Sequence, residues 1–368
     1  MTIPPTSLDN ADFAGGEMAA GPPIKIPTLY CPIPSEIHPM AAEIDAGSIE
    51  FMKKFDIVGD EQQRTRLAAG MEKMAGRVAP RGDPAIVQLF SDYAIWLIAM
   101  DDLLDEGPLA TKPAELLTFL ARLQRSIEAP ELPIEDHPLF AALRDIRLRL
   151  HKVVTPAALE RWVRGTCSYF LVESWRGATI AAGNAPGLSD YLYFRLHSGA
   201  ALGVAWIAHL SYCCDPPNQV WEDRRVVALT EMAACLPNYA TEIHSYAKDG
   251  YRTRDKYNLV DAAAATHGYD SQQALIAAVA MHDRIMCRFL ELSEQVERDA
   301  DTQLMRYLQS LHNYVRGLID WTLATPRYRY LNGVDGPIIT QSAGLTDTPS
   351  DDSHEPLPIP SIAWWWQV

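Results

Sequence analysis

Apolar residues recur at three- and four-residue spacing between residues 29 and 330, in long segments separated by short stretches that hold most of the prolines. That period sets one face of each segment against a core and marks helices rather than strands. It predicts helices over 40–56, 61–76, 84–106, 114–127, 136–152, 156–182, 188–212, 221–249, 271–296 and 299–324. Strand-like alternation is nearly absent. Asp83-Pro84 reads as an N-cap with proline at the first helical position, and Gly107-Pro108 closes the same helix. Pro237 falls inside a helical pattern, where its missing N–H and its ring should kink or break the helix. No long-period repeat appears, which excludes a solenoid. The fold class is therefore all-α, a single domain of about ten helices over 29–330. The flanking segments 1–28 and 331–368, rich in Pro, Gly, Ser and Asp, read as tails or as flaps that order only on the body.

Composition narrows the function classes. The 368 residues carry 32 Lys and Arg against 47 Asp and Glu, a formal charge of −15. This argues against nucleic acid or an anionic membrane surface as a partner. Six cysteines form no CxxC pair and ten histidines give neither HExxH nor a zinc-ligand spacing, so zinc and disulfide frameworks drop out. The N-terminus lacks a basic segment followed by an apolar one, and the longest apolar stretch, Gly199 to Cys214, is interrupted by His209. No membrane span is expected, and the chain reads as a reduced, cytoplasmic protein.

The helix beginning at Pro84 ends in the strongly apolar turn Ala94–Met100, followed at once by Asp101-Asp102-Leu103-Leu104-Asp105-Glu106. Asp101 and Asp105 are four apart on one face, with Asp102 one position round. Like charges so placed repel, and they sit at the negative end of the helix dipole, an arrangement that cations relieve. Carboxylate oxygens suit Mg²⁺, which is commonly held by one or two of them plus substrate phosphates. Alone, these residues also read as a solvated helix end. A second polar array shifts the balance: Thr241, Ser245 and Asp249 recur every four residues within Thr241–Asp249, giving one helix an oxygen-bearing stripe.

Together these motifs resemble class I terpene cyclases of the bacterial type, over about residues 28–330. In that family a DDxxD or DDxxE motif faces an N-D-x-x-S-x-x-K-E motif across the site, and the two hold three Mg²⁺ on a prenyl diphosphate. Asp101, Asp102 and Asp105 match the first motif. In the second, Thr241 stands at the asparagine, Glu242 at the aspartate, Ser245 at the serine, Lys248 at the lysine and Asp249 at the glutamate. Two of the three metal ligands on this helix are thus substituted. Arg195, 46 residues before Thr241, matches the diphosphate-sensing arginine. Gly199 matches the helix break whose carbonyl points into the cavity, with Ser198 where an acidic or polar linker is usual. Arg327-Tyr328 matches the terminal Arg-Tyr pair, and Arg329-Tyr330 repeats the dipeptide two residues on.

The resemblance implies a helical bundle around a central apolar cavity, for which Phe90, Trp96, Ile98, Phe194, Trp206 and Trp321 are candidate lining residues. It implies Mg²⁺-dependent ionisation of a linear prenyl diphosphate, farnesyl diphosphate before geranylgeranyl diphosphate, then cyclisation to a hydrocarbon or alcohol. A homodimer is the expected assembly. Two other readings stay open. A chain-elongating prenyltransferase uses similar chemistry but carries two DDxxD motifs, and this chain has one. A degenerate, non-catalytic helical binding protein could have lost its metals through Thr241 and Asp249.

Overall fold

The computed structural model describes residues 22–59, 61–107, 109, 112–131, 137–214, 216–252 and 257–368, without the side chains of residues 105, 106, 200 and 252. The expectations for residues 1–21, for Pro108 and for the Asp105 carboxylate lie outside the described residues.

Two short strands, β1 (Ile24–Ile26) and β2 (Leu29–Tyr30), precede α1 (Ala41–Phe55), α2 (Glu61–Met71) and α3 (Met74–Val78), all three of which pack on α4 (Pro84–Glu106). Next come α5 (Pro113–Glu128), α6 (Pro138–Leu150) and the long α7 (Pro156–Ala181), then α8 (Leu188–His197) and α9 (Ala201–Leu210), parted by one 3₁₀ turn. The short α10 (Asn218–Glu222) leads into α11 (Arg224–Arg252), followed by α12 (Leu259–His267), α13 (Ser271–Glu297), α14 (Thr302–Ala324) and α15 (Pro326–Arg329). Beyond them lie β3 (Thr340–Ser342) and β4 (Leu345–Thr346).

Local chemistry sets the helix starts. The Asp83 carboxylate accepts from the N–H groups of Ala85 (2.9 Å) and Ile86 (3.3 Å), with Pro84 at the first helical position. Thr155 caps α7 in the same way, and Asp270 with Gln273 forms a capping box on α13. Every predicted segment contains helix, with two refinements: 61–76 divides into α2 and α3, and 188–212 divides at Gly199. Of the kink or break expected at Pro237, the break is absent, since α11 runs through it. Proline removes only one backbone hydrogen bond, while α9, α13 and α14 clamp the helix along its length, and the Asn238 amide donates to the Ala234 carbonyl (2.8 Å).

Packing then places the site. α9 lies against both α4 and α11, and α11 lies against α13 and α14. Helices α7 and α9 approach through glycine: a Cβ on Gly165 would come within 2.8 Å of the Gly203 nitrogen. A cavity of about 380 Å³ opens between α1, α2 and α4, lined by Asp45, Ser48, Ile49, Arg64, Met71 and Ile95, and no predicted site residue lines it.

Residues 331–368 lie on the body as an extended strap. β3 pairs in parallel with β1 and β4 with β2. Asp283 of α13 accepts from the Tyr30 N–H (2.9 Å) and from both the N–H and hydroxyl of Ser350 (2.9 and 2.7 Å). Trp365 is fully enclosed and donates to Glu231 (2.8 Å), while Arg288 donates to the carbonyls of Trp365 and Val368. Among the described residues no helix is long and apolar enough to cross a membrane.

Burial pushes three histidines down, His209 to about 3 and His244 and His312 to about 4. Their unfolded value is near 6.5. The unfolded chain therefore binds more protons below that value, and the stability these groups contribute is complete above about pH 6.5 and lost as pH falls. Each should cost about 2 kcal/mol by pH 5. Thermal melts should show Tm level above pH 7 and falling steadily from pH 6.5 to 5; a flat profile over that interval would contradict the assignment.

Candidate active site

The C-terminal end of α4 presents Asp101 and Asp102, both half-buried, directly after an apolar turn. Across from them, α14 ends at Ala324 and Thr325 starts α15 with Pro326 at its first position, the Thr325 hydroxyl accepting from the Arg327 N–H. This short turn carries Arg327 back over the bundle, where its guanidinium donates to Asp102 at 2.7 Å. Burial alone would lower the Arg327 pKa, but Asp102, Tyr328 and Asp101 overcome it and hold the guanidinium firmly protonated. Arg329 is exposed and stacks on Tyr330, so of the two Arg-Tyr dipeptides it is Arg327-Tyr328 that reaches the carboxylates.

Arg195 lies in the last turn of α8. Gly199, at φ 65°, ψ 18°, takes a left-handed conformation that glycine adopts without steric cost, and there the chain leaves α8 and re-enters helix as α9. Arg195 donates to the Ser198 hydroxyl (3.0 Å) and the Asn238 carbonyl oxygen (3.3 Å), and pairs with Glu242 at 3.4 Å. Ser198 in turn donates to Glu173 of α7 (2.8 Å). Burial would lower Arg195, yet Glu242, Tyr191, Asp101 and Glu173 together raise it. Glu242 and Glu173 are both pushed upward, by burial that outweighs Arg195 near Glu242 and Arg176 near Glu173. Glu242 also accepts from the Tyr191 hydroxyl and from the Leu259 N–H (2.9 Å), which fixes it beneath Arg195.

On α11, Thr241, Ser245 and Asp249 form the expected stripe. Ser245 donates to Asp249 (2.6 Å), Asn258 donates to the same carboxylate oxygen (2.9 Å), and the Thr241 hydroxyl lies 3.0 Å from that of Thr322 on α14. Lys248 sits 3.8 Å from Asp249 and 5.9 Å above the Tyr328 ring. Tyr328 is the meeting point. Its hydroxyl is raised by burial, and the charges that act on it are Arg327, Asp101, Asp249 and Arg195, one or more from each of the four motifs.

Residues 92–288 match the family model described as terpene synthase family 2, C-terminal metal binding. The (+)-(1(10)E,4E,6S,7R)-germacradien-6-ol synthase of Streptomyces pratensis is 33% identical over 347 residues, which cover 94% of this chain and 97% of that protein. The chain belongs to the terpene synthase family. It is a class I cyclase of the bacterial type with the corresponding all-α fold. The farnesyl diphosphate-cyclising (+)-T-muurolol synthase of Streptomyces clavuligerus is 30% identical over 348 residues, 92% of this chain and 82% of that one. The crystal structure of SVS_A2, a protein from ancestral sequence reconstruction, superposes with a TM-score of 0.83 at 30% identity, covering 93% of this chain and 98% of that one.

The donor set of this terpene synthase fits a hard cation. Asp101, Asp102, Thr241, Ser245 and Asp249 offer oxygens only, with no thiol or imidazole, which is what Mg²⁺ takes. Among the described residues no three His, Cys, Asp or Glu side chains converge on a point as a ready-made metal cluster. Carboxylates from two helices, hydroxyls and the substrate's own phosphate oxygens would have to share the coordination.

The aromatic candidates divide. Trp321 stands at the site, edge-on to Tyr328 and donating to the Gly70 carbonyl (2.8 Å), and Ile98 is half-buried one turn before Asp101. Phe90 and Trp96 are fully enclosed; Trp96 donates to the Leu139 carbonyl of α6 and packs on Tyr93 and Phe170, so it faces the outer core. Phe194 packs among Trp175, Tyr191 and Tyr257. Trp206 belongs to a cluster with His209, Trp221 and Tyr307, under Arg161, at the opposite end of α11 from the oxygen stripe. Sequence reasoning missed Glu173, Asn238, Asn258 and Thr322. An acid directly after the apolar run Tyr169-Phe170-Leu171-Val172 of α7 was the available signal for Glu173.

Removing the charge of Glu242 leaves Arg195 without its nearest counter-charge in a buried setting. Glu242→Gln should destabilise the terpene synthase by about 3 kcal/mol in urea unfolding. A loss below about 1 kcal/mol would show that the pair does not hold Arg195.

Proposed function

We infer that the chain ionises a linear prenyl diphosphate, farnesyl diphosphate first and geranylgeranyl diphosphate second, in a reaction that requires Mg²⁺, three ions by the family pattern, and cyclises the cation to a hydrocarbon or alcohol. The observation that carries this reading is geometric: Arg327, from the segment after α14, donates to Asp102 of α4 at 2.7 Å, and its neighbour Tyr328 lies 5.9 Å under Lys248 of α11, itself 3.8 Å from Asp249.

Bound Mg²⁺ would neutralise the diphosphate's developing charge. Arg195, Lys248, Arg327 and Tyr328 would donate charge-assisted hydrogen bonds to the same group, strengthening as the allylic C–O bond breaks and its electron pair leaves with diphosphate. Arg327 would exchange Asp102 for the substrate, and Glu242 and Ser198 would keep Arg195 aimed. The Gly199 break offers a backbone carbonyl as a dipole beside the cation. Trp321 and Ile98 wall the mouth of the site, excluding water while the substrate's own double bonds attack the cationic carbon. The cascade would end when an adjacent carbon loses a proton to leave an alkene, or when water adds and the resulting oxonium loses a proton to give the alcohol. Farnesyl diphosphate stands first because (+)-T-muurolol synthase, which cyclises it, matches almost the whole chain.

Incubation with geranyl, farnesyl, geranylgeranyl and geranylfarnesyl diphosphates, with and without Mg²⁺, should give a cyclic product from farnesyl diphosphate that EDTA abolishes. Asp101→Ala should lower diphosphate release at least about 100-fold at saturating Mg²⁺. Linear, longer diphosphates formed on adding isopentenyl diphosphate would replace this reading with chain elongation, and no release from any substrate would support the non-catalytic one.

A further inference from the structure

A metal-binding asparagine presents a carbonyl oxygen that carries no proton. A threonine in its place must turn its hydroxyl proton away before its lone pair can face a cation, and that proton needs an acceptor. At Thr241 the structure supplies one. Its Oγ1 lies 3.0 Å from Oγ1 of Thr322, which projects from α14 and is only 2% exposed. One turn along α11 the same arrangement recurs with a different acceptor, the Ser245 hydroxyl donating to Asp249 at 2.6 Å. Asp249 is itself held by the Asn258 amide at 2.9 Å, and that amide also donates to the Glu242 carbonyl at 3.0 Å. The Ser245 proton therefore has an acceptor, and Thr241 shares one hydrogen bond with Thr322 in which either hydroxyl can donate; Thr322 is held by burial and Asp249 by Asn258.

We propose that Thr322 is a positioning residue for the second metal site: it accepts the Thr241 proton and thereby turns the Thr241 oxygen into the neutral ligand that an asparagine carbonyl would otherwise supply. Hydrogen bonds of this kind behind a ligand typically govern metal affinity by 10- to 100-fold (about that range). The inference rests on the Mg²⁺ reading above.

The test follows the Mg²⁺ dependence of the thermal shift produced by inorganic diphosphate, alongside Mg²⁺ half-saturation of turnover. Thr322→Val keeps the shape and deletes the hydroxyl; it should raise the Mg²⁺ half-point about tenfold in both readouts and leave kcat at saturating Mg²⁺ within about threefold. Thr322→Ser should restore the half-point to within about twofold. In a Thr241→Asn background the ligand brings its own carbonyl, so adding Thr322→Val should no longer matter. An unchanged half-point in Thr322→Val, or a full penalty persisting in the Thr241→Asn background, overturns the proposal while leaving the metal reading intact. A wild-type chain with no Mg²⁺-dependent shift overturns both.

Discussion

Two carboxylates at the C-terminal end of a buried helix repel each other and face the negative end of the helix dipole, so they persist only where positive charge is brought to them. In this terpene synthase that charge comes from far along the chain. Arg327 crosses from the turn after α14 to bind Asp102, and Arg195 reaches into the field of Asp101 from the end of α8. Much of the architecture serves this meeting. The Gly199 break sets where α8 stops, Glu242 and Tyr191 hold Arg195 from below, and Thr325 starts the turn that carries Arg327 over the mouth. Both guanidiniums are largely enclosed, each side chain 12% exposed, and an enclosed guanidinium is tolerable only when paired. The protein thus holds the two arginines proposed to meet diphosphate in place by pairing each with a carboxylate, Arg327 with Asp102 and Arg195 with Glu242.

The second oxygen-bearing helix meets the same requirement with altered residues. Thr241 and Asp249 are shorter than asparagine and glutamate, and their surroundings make up part of the difference. Asn258, the N-cap of α12, reaches back to Asp249, while the strap beyond α15 ties α11 down through Thr340 and Ser342 on His244. As the proposed ligands these residues have less reach and would need firmer placement, and here neighbouring helix ends and a C-terminal segment hold them.

The helices were legible because the long segments carry apolar residues at helical spacing, and several, such as α4, α7 and α13, also begin at a capping residue. The nine-residue α12 was not, since its run of alanines makes no stripe, although Asn258 and Gly268 cap it. The strap was illegible for another reason: β3 and β4 pair with strands more than 300 residues earlier, and anchors such as Trp365 act singly, so no local period records them. The charged motifs could be read because their chemistry depends on spacing along one helix. The cavity aromatics could not be sorted, because α4 is apolar on nearly every side and periodicity does not separate the face toward α6 from the face toward the site. Trp96, which donates to the Leu139 carbonyl of α6, falls on the α6 side of that division. Thr322 looks like any threonine in a packed helix until its partner is seen.

The most direct test of this account is a crystal structure with Mg²⁺ and inorganic diphosphate. The account predicts diphosphate within hydrogen-bonding distance of Arg195, Lys248, Arg327 and Tyr328, metal density at Asp101 and along Thr241, Ser245 and Asp249, and Arg327 released from Asp102. Diphosphate bound elsewhere, with the Arg327–Asp102 pair intact, would contradict it.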